Sequence, residues 1–515
     1  MKKYLLLPLL FISTIIYAQV PEDAIRYSFY PQSGTARNMA IGGVMGSLGG
    51  DINATFVNPA GLGFYKTNEF VITPAFFLNN NKAKFRETDT KNTKNSFGFG
   101  TSGWVFGHSN SNDSKNSSAF SIAITQTANF NNEVRYKGLN SYSSFSEQFA
   151  EEFAKSGYSI NQALSTSSSP FPYTSAPALY TYLIDTVTIN GIKQVKGAPE
   201  YILDAGQALQ QEMIKKTKGA ISELAIGFAH NSKDKWFVGG SIGIPFVSYT
   251  SNTVFKESDT SNNTSNYFKQ FEYIDDFKTT GIGINGKIGI IYRPKDYIRL
   301  GLAIHTPSWM FLTDTHTTDL TTEVENPVDK FNISSKYFTN GKAGEAKYIQ
   351  STPFKALISA SYVFREVRDV TRQKGFISAD IEYVQHRGSR FSSSNDSVSS
   401  QEKVYYKSLN NVVKKDYKGN FNFRVGGELK FNVIMARLGF AYYGNPYKDK
   451  ELKANRMLLS GGLGYRNKGF FVDLSYVHTI SKDVNFPYRL QDRANTYAEL
   501  KQQRGNVIAT VGVKW

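Results

Sequence analysis

Along most of the chain, apolar and polar residues alternate with a period of two, the spacing of a strand that has one apolar face. In 506–515, Val507, Ala509, Val511, Val513 and Trp515 fall on one face, and Asn506, Thr510, Gly512 and Lys514 on the other. Phe421, Phe423, Val425, Leu429 and Phe431 alternate in the same way with Asn422, Arg424, Gly426, Glu428 and Lys430, and the stretches 377–383 and 298–305 repeat the pattern. The polar faces carry full charges of both signs, which a dry sandwich core does not tolerate unpaired. A polar lumen inside an apolar outer belt accounts for both faces.

About fourteen such segments can be marked, at 67–79, 95–106, 117–130, 219–230, 235–250, 278–291, 296–306, 351–365, 373–386, 420–430, 433–443, 455–466, 468–480 and 505–515. Each is near the length of a tilted membrane strand. From the fourth onward the connections alternate. Those at 231–234, 293–295, around Arg368, 431–432 and 467–468 are short, whereas 251–277, 307–350, 387–419, 444–454 and 481–504 are long. Short turns at one end and long loops at the other are the organisation of an outer-membrane barrel, and an even strand number returns the C-terminus to the short-turn end. The fold class expected is all-β: a transmembrane antiparallel β-barrel of about 14 strands over 67–515.

The longest connection, 131–218, is expected outside the cell and holds two helix-like pieces. Phe145, Phe149 and Phe153 recur every four residues in 144–156, and Ile202, Ala205, Leu209 and Met213 share a stripe in 199–218. Phe145, Phe149, Phe153, Ile202, Leu209 and Met213 either line an apolar groove for a ligand or partner, or pack on one another as a cap.

The chain opens Met1-Lys2-Lys3, runs apolar to Tyr17 and continues Ala18-Gln19, which reads as a signal peptide over 1–18. Between it and the first strand lies 19–66. Its part 33–62 holds Gly42, Gly43, Gly46, Gly49 and Gly50, with Arg37 and Asp51 as its formal charges. Glycine makes it a poor helix and a poor strand. Irregular backbone at membrane depth is tolerated only where protein or a watery cavity surrounds it, so this segment is expected to fold inside the barrel as a hatch. Asn58 should be extended, because Pro59 follows it.

Composition fits the same picture: 38 Phe and 31 Tyr with a mean hydropathy of −0.36 suit a barrel in which every second residue meets lipid. The absence of cysteine excludes disulfides, thiolate metal sites and a lipidated anchor. His108, His230, His305, His316, His386 and His478 show no metal-ligand spacing, and Ser475 and His478 fall on opposite faces of their strand. No enzyme activity, metal or cofactor is expected. The charge of +16 is spread over loops such as Lys414-Lys415 and 448–453. It fits a solvated surface facing lipopolysaccharide phosphates rather than nucleic acid. Asp380, Glu382, Arg424, Glu428 and Arg437 face the lumen and are expected to pair with one another or with the hatch.

Gly34-Thr-Ala-Arg37, Ala40-x-Gly-Gly43, Asp51 and Asn58-Pro59-Ala60-Gly61-Leu62 stand between signal peptide and first strand. Thr352-Pro353-Phe354, Asp380-Ile-Glu-Tyr383, Arg424-Val-Gly-Gly-Glu428 and Ala436–Tyr442 follow downstream. Together they resemble the FadL/TodX (OMPP1) family of outer-membrane transporters for hydrophobic compounds. The resemblance implies a fourteen-stranded barrel in the bacterial outer membrane, and the form expected is a monomer in contact with lipid and lipopolysaccharide. It implies passive uptake of hydrophobic small molecules, long-chain fatty acids or aromatic hydrocarbons, past a hatch gated at Asn58, Pro59, Ala60, Gly61 and Leu62. It also implies sideways release through a gap at a kinked strand, whose place the sequence does not reveal. The alternative is a barrel of the same architecture acting as a binding or shuttle component of a protein secretion system, without small-molecule transport. Long polar loops such as 387–419 suit a protein partner.

Overall fold

The computed structural model describes residues 23–515 apart from 110–114, 326–327, 365–373, 396, 451 and 453. The signal peptide and the turn around Arg368 therefore lie outside the described residues. The chain enters through three short helices, α1 (Asp23–Arg26), α2 (Ala36–Ala40) and α3 (Ala54–Val57), and a 3-10 turn at Pro59–Phe64. Fourteen antiparallel strands then close into a barrel.

The first three barrel strands are each interrupted. β1 (Glu69–Ile72) and β2 (Pro74–Phe85) form the first, β3 (Thr88–Phe99) and β4 (Ser102–Ser109) the second, and β5 (Ser117–Asn129) and β6 (Asn132–Asn140) the third. The first strand closes on the last, Ala498–Lys514. Glu69 stands opposite Lys514 in β1, and Ala75 to Lys84 stand opposite Ile508 to Glu499 in β2. The C-terminus lies at the end of the tight turns. One of these turns has φ of 45° and 86° at Lys468 and Gly469, the two-residue geometry that matches strand twist.

The period-two pattern sorts as its chemistry requires. In Gly419–Phe431, Phe421, Phe423, Val425 and Leu429 are exposed outward while Asn422, Arg424 and Glu428 are buried inward. Ile226, Ile242, Ile288, Ile358, Leu438 and Leu459 continue the outer apolar belt on other strands.

Two expectations fail beyond the membrane. Leu209–Ser232, Trp236–Asp259 and Gln270–Lys295 run for 24, 24 and 26 residues, more than twice the roughly 9–11 that a bilayer needs. Much of the expected loops 251–277 and 307–350 is therefore strand, including Trp309–Glu325 and Gly344–Ser351. The expected helix over 199–218 is overturned as well: Glu200–Asp204 is helical, and Leu209 begins a strand. Residues four apart share a face in both geometries, so Leu209 and Met213 satisfy a helical stripe and a strand alike. The ladders to β6 and Trp236–Asp259 decide between them.

The other expected helix is present as α4 (Glu147–Ser156). It packs into a lobe above the barrel with short helices at Ser175–Tyr180 and Glu200–Asp204 and a hairpin at Ile184–Gly197. Here the groove expectation is corrected. Phe145, Phe149, Phe153, Ile202, Leu209 and Met213 are all buried in one cluster with Phe255, Phe271 and Tyr273. Phe145 stacks on Phe255 at 4.4 Å and meets Phe149 edge-on at 5.4 Å. The stripes satisfy each other, and these six side chains leave no open channel between them.

Glu257 lies under this lobe, fully buried, accepting from Ser144 Oγ (2.5 Å), Phe145 N (3.2 Å) and Gln211 Nε2 (2.6 Å). Burial pushes its carboxyl up to about 7, against those hydrogen bonds and with Glu147 nearby adding to the rise. Burial likewise raises Glu200 to about 7. A carboxyl raised above its unfolded value holds its proton more tightly when folded, so the stability it contributes is present at low pH and fades as pH rises toward 7. The lobe should resist proteolysis better at pH 5 than at pH 8. Glu257→Gln combined with Glu200→Gln should lose most of that difference, measured as the cleavage rate within 141–208. An unchanged pH profile in the double variant would contradict the assignment.

Candidate functional site

The lumen is occupied by 23–65, which bonds to strands around its circumference. The Ala36 N–H donates to Thr510 Oγ1 (2.8 Å) and the Gly42 N–H to Ser460 Oγ (3.1 Å). Thr55 Oγ1 meets Ser121 Oγ at 2.9 Å, and Ser47 Oγ lies 2.7 Å from Ser359 Oγ and 2.5 Å from Ser361 Oγ. His305 Nε2 lies 2.7 Å from the Val57 carbonyl.

The five predicted lumen charges form two buried groups. Glu428 Oε2 receives Arg437 Nε at 2.7 Å and Arg37 Nε at 3.2 Å, while Arg437 Nη1 reaches Asp473 Oδ1 at 2.6 Å. Arg37 also donates to the Gly50 carbonyl (3.1 Å), so one guanidinium ties the wall to a turn of the segment. In the second group Asp380 accepts the N–H groups of Met45 (3.0 Å) and Gly46 (3.2 Å). Arg424 lies 3.8 Å from Asp380 and 3.5 Å from Glu382. Glu428 and Asp380 thus touch the lumen segment directly, and Arg437, Arg424 and Glu382 brace them.

Asn58 is extended at φ −139°, ψ 99°, and caps the 3-10 turn by accepting from the Ala60 N–H (3.1 Å). Its amide donates to the Gly46 carbonyl (2.5 Å) and to the wall carbonyls of Ile290 and Leu302 (both 3.4 Å). Pro59, Ala60, Gly61 and Leu62 are buried beside it. Sequence reasoning did not find the wall glycines that make these approaches possible. A Cβ on Gly289 would strike the Asn58 side chain, and one on Gly426 would strike the Ile41 carbonyl. Gly426 sits inside Arg424-Val-Gly-Gly-Glu428, so the one motif supplies the charges and the seat.

Among the described residues the barrel ladder is incomplete at one place. β4 pairs with β5 as far as Ser102 opposite Ile124. Beyond that level β3 pairs with β2 alone among the described residues, while β5 and β6 pair with Leu209–Ser232. A bulge between Gln126 and Ala128 and the break at 130–131 bend the third strand away. Side chains bridge the separation. The Phe99 N–H donates to Gln126 Oε1 (3.4 Å), Thr101 Oγ1 to Thr125 Oγ1 (3.1 Å) and Asn79 Nδ2 to the Asn131 carbonyl (2.8 Å). Inside this gap lies a cavity of about 390 Å³ bordered by Phe99, Gly100 and Gln126 on the gap side and by Phe29, Tyr30 and Met39 of the lumen segment. A second cavity of about 420 Å³ lies beneath the lobe, beside Phe171 and Tyr173. Arg26 and Tyr249 border both cavities, the guanidinium 4.8 Å above the ring.

A closed fourteen-stranded barrel with a buried N-terminal segment is the fold of outer-membrane transporters of the FadL type. Its solved relatives in fold include a Pseudomonas aeruginosa FadL homologue, at 12% identity and a TM-score of 0.51 over 94% of this chain and 99% of that one. The P. putida toluene transporter TodX (11%, 0.51, 94% and 99%) and the Ralstonia pickettii toluene transporter TbuX (14%, 0.50, 95% and 100%) are similar to the same degree. No family model and no curated protein matches the chain in sequence.

Breaking a buried ion pair from one side costs about 3–5 kcal/mol. Arg37→Met should therefore loosen the lumen segment while Glu428 keeps Arg437. In a Ser47→Cys background, where the thiol starts fully buried in a chain with no other cysteine, Arg37→Met should raise thiol labelling by at least tenfold. Unchanged labelling with the barrel still heat-modifiable would show that Arg37 does not hold the segment.

Proposed function

We propose that this barrel sits in the bacterial outer membrane and admits a hydrophobic small molecule passively, without catalysing a reaction. The ligand enters beneath the lobe, passes Arg26 and Tyr249 into the inner cavity, and leaves sideways between β3 and β5–β6 into the bilayer. Residues 19–66 serve as the hatch, with Asn58, Pro59, Ala60, Gly61 and Leu62 closing the axial path to the periplasm. One observation carries the reading: the inner cavity abuts the one stretch, among the described residues, where adjacent barrel strands are joined by side-chain bonds instead of a ladder. Separating side-chain bridges costs far less than unpairing strands in lipid, where each orphaned backbone group costs several kcal/mol. The named substrates of two similarly folded barrels, toluene in each case, are in keeping with an apolar ligand.

The absence of native cysteine allows a direct test. A Cβ on Gly98 would lie against the Gln126 side chain, so Gly98→Cys with Gln126→Cys should cross-link the gap on oxidation. Uptake of radiolabelled toluene and oleate by cells making the oxidised variant should fall to background and return on reduction. Persistent uptake through a cross-linked gap would rule out the lateral route. If the unmodified barrel takes up neither compound and is required for export of a protein instead, the secretion-shuttle reading replaces this one.

A further inference from the structure

One row of outward side chains interrupts the apolar belt. His108 on β4 stands opposite Ser118 on β5, and Ser118 stands opposite His230 on Leu209–Ser232. The histidines are exposed, Ser118 is half-buried, and the three share the lipid face with Phe106, Phe120 and Phe228. The same registered row continues through Val238, Ile290, Leu302, Ile358, Ile381 and Phe423, every one apolar. The polar three lie at the periplasmic ends of their strands, because β4 stops at Ser109, β5 starts at Ser117 and the next strand stops at Ser232. That is the depth of the lipid headgroups.

Above them the same strands present Trp104, Phe106, Phe120, Ile122, Ile226 and Phe228 to lipid. Phe106 and Phe120 stack with centroids 6.3 Å apart. From His108 up to Ser102, where the ladder to β5 ends, the strand runs about 20 Å. Tilted by about 45°, that stretch climbs roughly half of the hydrocarbon core. The tract has the height of one leaflet.

Ser118 Oγ lies 2.9 Å from His230 Nδ1. If the ring donates, the hydroxyl keeps a proton to give; if the hydroxyl donates, the Nε2–H is left over. Either arrangement leaves one donor for an acceptor outside the protein. The His108 ring makes no hydrogen bond among the described residues and adds another donor. Lys115, Lys233 and Lys235 follow, all exposed, at the turn ends, while Asp234 between the last two is held by Lys66 at 3.4 Å. Donors beside a net positive turn select an anion over the metal ion that two histidines could otherwise ligate. No group among the described residues orients the other nitrogen of His230, which a nucleophilic serine would need.

We propose that His108, Ser118 and His230 hold the phosphate of one glycerophospholipid of the periplasmic leaflet. Its acyl chains lie along the tract from Phe228 to Trp104, and their ends lie below the gap between β3 and β5–β6. The two histidines stand about 10 Å apart across β5, and their rings close from both sides on a phosphate seated over Ser118. Ordinary contact with lipid needs only the apolar belt. These three donors are what make the contact specific.

The test is native mass spectrometry of the full-length barrel in detergent, titrated with dioleoyl-phosphatidylglycerol and with dioleoylglycerol, which has the same chains and no phosphate. The unmodified barrel should retain one phosphatidylglycerol at least tenfold more tightly. His108→Phe with Ser118→Ala and His230→Phe should remove that preference, leaving heat-modifiability and dioleoylglycerol retention unchanged. Equal retention of the two lipids by the unmodified barrel would overturn the proposal, and this comparison needs no variant to fold. Full preference in the folded triple variant would overturn it too. Displacement of the lipid by inorganic phosphate at equal concentration would show a bare anion site instead, and a Zn2+ adduct that the variant loses, without any lipid preference, would show a metal site. Toluene and oleate uptake depends on none of these outcomes, so the transport reading stands or falls separately.

Discussion

Lipid offers no hydrogen-bond partners, so every backbone N–H and C=O that meets it must be paired within the protein. The rest of this structure follows from that requirement. It forces the first strand to close on the last, with Glu69 beside Lys514 and Ala75 beside Ile508. It also makes the one incomplete ladder informative. Along β5–β6 side chains take the place of ladder bonds: Gln126 accepts from the Phe99 N–H at the end of β3, and Asn79, on β2, donates to the Asn131 carbonyl, bonds that can let go without breaking a strand pair.

Closure creates a second problem, a lumen lined by charges and filled with irregular chain. The structure solves it by giving most cations a carboxylate and by spending several of those carboxylates twice. Glu428 binds Arg437 of the wall and Arg37 of the lumen segment, and Asp380 faces Arg424 while capping the N–H groups of Met45 and Gly46. The wall glycines complete the arrangement, because Ile41 and Asn58 approach the strand backbone where a Cβ would stand.

Much of this was legible along the chain. The strands announce themselves because lipid on one side and a polar lumen on the other impose opposite chemistry on successive residues. The lumen segment announces itself because Gly42 to Gly50 suit neither helix nor strand, and Asn58-Pro59 fixes an extended residue before a turn. Legibility stopped where the outside of the strand changed from lipid to water. Beyond the bilayer, 251–277 and 307–350 lose their alternating apolar face and read as loops, although strand pairing carries on through them. In 199–218 the spacing of Leu209 and Met213 fits a helix and a strand equally, and pairing across the sheet made the choice.

The sequence by itself determined the barrel, its even strand number, the sidedness of its loops and the presence of an irregular N-terminal segment. Each of these is a local consequence of which solvent a residue meets. Only the tertiary structure decided which carboxylate meets Arg37, that the phenylalanines of α4 close on Phe255 instead of lining a groove, and where the ladder opens. Those outcomes depend on register between strands distant in the chain, which no local pattern of residues encodes.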